Sequence, residues 1–146
     1  MRTGWHAMLL SVCGVHVSLA AAGCDANAAE RMQGHWQLVS WSDGWGGAQE
    51  PARTGAFIER RLLPGGLAEL HRNGELLMTG LHDVGYRTTG WEGGATTLRI
   101  TWRDTNRPFN VIVGGNHRFT FRGRDGLTLW HRGTDSPVHR FERVRR

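Results

Sequence analysis

From Gly34 to the C-terminus, apolar and polar residues alternate with a period of two, and turn residues break the alternation about every 8–12 positions. Thr96 to Arg103 shows it most cleanly. Leu98, Ile100 and Trp102 fall on one face of that run, with Thr97, Arg99, Thr101 and Arg103 on the other. His35 to Trp41 alternates in the same way, with Trp36, Leu38 and Ser40 against His35, Gln37, Val39 and Trp41. Ala56–Leu63, Leu67–Arg72 and Val138–Val144 also read as strands, and Glu75–Thr79 and Leu81–Thr89 as two separate ones. Asn73-Gly74 is the strongest turn signal, because both residues tolerate the positive φ of a type I′ hairpin. No stretch has convincing amphipathic-helix spacing. The pattern predicts an all-β domain of about eight to nine antiparallel strands, a barrel or a sandwich around one core.

The first residues follow a different rule. Arg2 precedes an uncharged stretch, Ala7 to Ala22, that ends in small residues. This stretch falls short of the roughly 20 residues a helix needs to cross a bilayer. A positive start, a short apolar core and small residues at its end describe a secretory signal. The expected organisation is a signal sequence over residues 1–23, a polar tether over 24–33 with a helical turn at its end, and the β domain over 34–146.

Composition narrows the function classes. A hydrophobic content of 39% and a charged content of 21% exclude wholesale disorder, and 146 residues support one domain. The formal charge is +5, and all 18 basic residues are Arg. They alternate with acids and apolar residues rather than forming a run, which argues against a nucleic-acid surface. Cys13 is lost with the leader, so the mature chain has no disulfide framework and depends on packing. A monomer is expected.

Two resemblances sharpen this reading. Ala20-Ala21-Ala22-Gly23-Cys24 resembles the bacterial lipobox, which implies lipidation at Cys24 and an anchor on the periplasmic face of a membrane. Cleavage after Ala28, giving a soluble periplasmic or secreted protein, stays open. Gly34-His35-Trp36 followed by Leu38-Val39-Ser40 resembles the opening of bacterial lipocalin-like domains. Leu127-Thr128-Leu129 and Phe141-Glu142-Arg143-Val144 are similar to their close. The resemblance implies a single antiparallel lipocalin-like up-and-down barrel with a cup-like interior. It also implies that Trp36 plugs the barrel base and that Arg143 lies across its ring.

Candidate chemistry is sparse. The six histidines after the leader (His35, His71, His82, His117, His131 and His139) have no metal-ligand spacing, although strands can bring histidines together in a barrel. Glu69 and His71 share a strand face, as an acid–base pair would, but a cross-strand surface contact has the same spacing. No nucleophile elbow, phosphate loop or cofactor motif is present, so no catalytic residue, metal site or cofactor is assigned. Trp45 and Trp91 lie in Gly-rich loops, where they are candidates for a pocket rim. The expected function is binding of a small apolar or amphipathic molecule, or an envelope role, without catalysis. A barrel enzyme of isomerase or hydratase type, and a periplasmic interaction or inhibitor module, remain as alternatives.

Overall fold

The computed structural model describes residues 26–42, 47–88, 94–103, 115–131 and 137–145. Eight strands follow in chain order: β1 (Gly34–Ser42), β2 (Ile58–Leu62), β3 (Leu67–Arg72), β4 (Glu75–Thr88), β5 (Gly94–Trp102), β6 (Gly115–Arg122), β7 (Gly126–His131) and β8 (Val138–Arg143). Each pairs antiparallel with the next, and β8 pairs back onto β1, so the sheet closes into an up-and-down barrel. Closure removes the exposed strand edges that would otherwise invite pairing with another chain. Short 3₁₀ turns at Pro51–Thr54 and Pro64–Gly66 interrupt the connections on either side of β2.

Alternation sorts the side chains. Trp36 and Leu38 on β1, Ile58 and Leu62 on β2, Leu98, Ile100 and Trp102 on β5, Leu127 and Leu129 on β7, and Phe141 on β8 form the buried core. Two details depart from the sequence pattern. Between Leu38 and Ser40 the register against β8 shifts, pairing Ser40 with Arg140 and Trp41 with His139. Trp41, rather than Ser40, therefore packs against the core. This is the effect of a bulge, which reverses the facing of every residue beyond it.

The second departure is at Gly80. The expected strands 75–79 and 81–89 are a single strand, β4, that runs straight through this glycine. A Cβ there would run into the Thr101 carbonyl oxygen and lie 2.9 Å from Trp102 Cε3. The glycine admits the indole of the neighbouring strand instead of breaking its own strand.

Residues 26–32, expected as a tether, form a short helix across one end of the barrel, and Met32 is fully buried. Trp36, 0% exposed, donates its indole N–H to the Met32 carbonyl at 2.8 Å. The Arg143 guanidinium lies 4.1 Å above the Trp36 ring. It also donates to the carbonyls of Gln33 and Arg31, each at 2.7 Å. One cation thus covers the aromatic face and satisfies carbonyls at the end of the helix.

Because the indole is buried and its N–H is bonded, Trp36→Ala should cost about 3–5 kcal/mol of stability in a denaturant melt. Arg143→Met, which keeps the alkyl stem, should cost about 2 kcal/mol through the lost ring contact and charged hydrogen bonds.

Candidate functional site

Strand β2 reads Ile58-Glu59-Arg60-Arg61-Leu62, and its burial alternates with a period of two. Ile58, Arg60 and Leu62 share the inward face, so a guanidinium enters the core between two aliphatic side chains. Arg60 is 1% exposed. Its Nε, Nη1 and Nη2 have no hydrogen-bond acceptor among the described residues. Its guanidinium lies 5.1 Å from the centroid of the Phe141 ring on β8. Burial lowers its pKa to about 10, so it stays a cation at neutral pH. A buried cation without a counter-ion costs several kcal/mol, and a cation–π contact offsets only about 0.5–2 kcal/mol of that.

Histidines enter from β6, β7 and β8. His117 on β6 pairs in register with His131 on β7, and their rings meet at 5.4 Å. His139 on β8 pairs with the buried Leu129 and sets its ring edge-on to Phe141 at 6.4 Å. His139 is 3% exposed. Burial first, then the positive fields of Arg60 and His131, push its pKa down to about 4. The imidazole is therefore neutral at pH 7. No group of three or more His, Cys, Asp or Glu side chains among the described residues is placed to hold a metal ion.

The wall has an opening at the helix-covered end. β4 and β5 pair from Gly80↔Trp102 to Thr88↔Gly94. β5 and β6, however, pair only between Thr97↔Arg118 and Ile100↔Gly115. Toward the base, β5 stays on β4 while Phe119–Arg122 of β6 stay on β7. Among the described residues no ladder joins the two strands there. A cavity of about 270 Å³ occupies the gap, lined by Asn27, Ala28 and Arg31 of the short helix and by Thr96, Phe119 and Phe121. Phe119 and Phe121 pair with the buried Leu129 and Leu127, so they hold inward positions. Both are only partly buried, and their rings meet edge to face at 5.4 Å. The Arg31 guanidinium stacks on Phe121 at 4.1 Å and donates to the Gly123 carbonyl at 3.0 Å.

Glu69 and His71 do meet, at 2.9 Å, but on the face that Glu59 and Arg61 share, opposite Arg60. Arg61 donates to Glu59 at 2.8 Å and lies 3.7 Å from Glu69, and His35 is 2.8 Å from Glu59. The pair belongs to an ion network on the outer wall. Asp83, Arg87 and Arg99 form a second such network. A broader depression of about 520 Å³ beside β7 and β8 is lined largely by charged side chains, among them the Asp125–Arg145 ion pair.

Trp36 and Arg143 are brought together at the base, as described above. Cys24, Trp45 and Trp91 lie outside the described residues. β1 leaves the base and ends at Ser42, whereas β4 returns to it and ends at Thr88. Sequence reasoning passed over Arg60, Phe119 and Phe121. The alternation in Ala56–Leu63 was a signal for Arg60, since it places that residue between Ile58 and Leu62.

The His139 shift has a definite sign. Its folded pKa lies below the unfolded value of about 6.5, so unfolding takes up a proton between those values. Stability should be constant with respect to this group above pH 6.5 and fall by about 3 kcal/mol as the pH drops to 4. Urea melts across that range should show a shallower loss for His139→Gln than for the wild type.

Comparison with known proteins adds no assignment: no family model matches the chain, and neither a curated protein nor a solved structure is found to be similar to it.

Proposed function

We propose that this chain is a lipocalin-like carrier that holds a small apolar or amphipathic molecule in its barrel, without catalysing a reaction. The observation that carries this reading is the gap between β5 and β6, where Phe119 and Phe121 stand half-buried at inward positions around a cavity of about 270 Å³. That volume lies near the lower end of small-molecule sites, which run from about 300 Å³ upward. Aromatic area left wet at such positions forfeits about 25 cal/mol per Å², which an apolar ligand restores by covering it.

The interior also supports binding over catalysis. At inward strand positions its buried polar side chains, among the described residues, are Arg60, His117 and His139, with no carboxylate. An isomerase or hydratase reading has no inward acid–base carboxylate to use there. The reading places the carrier outside the cytoplasm, tethered through a lipid on Cys24, a few residues before the helix that borders the cavity. Among the described residues no helix is long and apolar enough to cross a membrane.

An uncharged naphthylamine fluorophore, which brightens on leaving water, tests the cavity. The wild type should bind it. Ala28→Trp, which fills the gap from the helix, should weaken binding at least about tenfold while changing stability by less than about 1 kcal/mol. A wild-type protein that leaves the fluorophore dark overturns the reading. Intact mass of the membrane-extracted protein tests the anchor: two acyl chains on a chain beginning at Cys24 are expected, and a chain beginning at Ala29 refutes it.

A further inference from the structure

Building on the carrier reading, we propose that the ligand is an amphipathic organic acid and that Arg60 receives its oxyanion inside the barrel. Donors and acceptors inside the barrel are out of balance. All three guanidinium nitrogens of Arg60 are buried without an acceptor, and so is the indole Nε1 of Trp102, another inward residue. Both groups only donate. The buried polar side chains at the other inward positions, among the described residues, are imidazoles, with no anion. Among the described residues, what the interior lacks is a negatively charged acceptor.

Arginine makes that need specific. Its planar fork presents paired N–H groups that match the two oxygens of a carboxylate, or two oxygens of a phosphate or sulfonate. An alcohol or ketone answers one donor and leaves the charge unmatched. The described neighbours of Arg60 supply no resident partner. In register it sits between Trp36 and Leu70, and it faces the Phe141 ring. The acids next to it in sequence and pairing, Glu59 and Glu69, are engaged on the outer wall with Arg61, His35 and His71.

The topology supplies the tail. β2 and β6 are four strands apart around a closed eight-stranded barrel, so Arg60 and the Phe119–Phe121 pair project from opposite walls. A molecule with an acidic head toward β2 and an apolar tail toward the β5–β6 gap satisfies both features. The neutral state of His139 fits the same arrangement, since a second buried cation beside Arg60 would be repelled.

Displacement of the uncharged fluorophore by dodecanoic acid, dodecanol and acetate tests the inference. Dodecanoic acid should compete at least about tenfold better than dodecanol, the increment a charged hydrogen-bonded pair provides. Acetate should compete poorly. In Arg60→Met the fluorophore should still bind, and acid and alcohol should compete alike. Arg60→Met should be at least as stable as the wild type without ligand, because an unpaired buried cation is replaced by an apolar chain. Acid binding to the wild type should also move the His139 ring resonances so that its titration midpoint rises, since the anion cancels the field of Arg60.

The outcomes separate cleanly. A dark fluorophore with the wild type removes the carrier reading itself. A bound fluorophore with acid and alcohol competing equally removes only the acid inference. Acid preference that survives in Arg60→Met but disappears in Arg31→Met places the head at the cavity rim and overturns the role of Arg60. Acetate that competes as well as dodecanoic acid shows a site for a bare anion and overturns the amphiphile. A marked loss of stability in ligand-free Arg60→Met shows that the guanidinium already has a partner within the chain, with the same consequence.

Discussion

Pairing of β8 with β1 is the constraint on which the rest of the barrel depends. Once the sheet is closed, each strand residue faces either inward or outward, and its parity decides which. Leu62, Leu98 and Leu129 gain from the inward assignment. Arg60 receives the same assignment without that gain, because its parity matches that of Ile58 and Leu62. A single strand could turn over to bring such a residue to water. A strand held by ladders on both sides cannot, since turning it would expose its aliphatic neighbours as well.

The base plug and the wall opening meet at the short helix over residues 26–32. On one side it is bound to the base: Met32 is buried, Trp36 donates to its carbonyl, and Arg143 ties down the carbonyls of Arg31 and Gln33. On the other side it borders the gap where β5 and β6 part. The helix closes the base while contributing Asn27, Ala28 and Arg31 to a cavity that has Phe119 and Phe121 in its wall. Arg31 and Arg60, each set against an inward aromatic ring, differ in kind. Arg31 is exposed and bonded to a carbonyl, so its charge is solvated, whereas Arg60 is buried and has no acceptor. That contrast is why the interior arginine carries the inference about the ligand's charge.

Much of the fold was legible from residue order alone. Period-two alternation located the strands, and Asn73-Gly74 marked the β3–β4 hairpin, where Asn73 has a φ of 51° and Gly74 one of 84°. The contact of Arg143 with the Trp36 ring was expected only through the resemblance of the Gly34-x-Trp36 and Phe141–Val144 motifs to lipocalin-like domains. Legibility failed where one strand's conformation depends on another. Gly80 looks like a break until the Trp102 ring lies against it, and the bulge after Leu38 exists only in the register with β8.

The candidate site was the least legible part. Glu69 and His71 resembled chemistry in the sequence and proved to be part of an outer-wall ion network, whereas Arg60 resembled a solvated charge and is among the most buried side chains in the chain. By itself the sequence determined the strands, the main turns and the two faces of each strand, because these follow from backbone periodicity and the φ preferences of a few residues. The tertiary structure alone decided which face became the interior, where the wall opens, and that Arg60 has no acceptor. Those properties depend on what surrounds a side chain, and its surroundings come from strands distant in sequence.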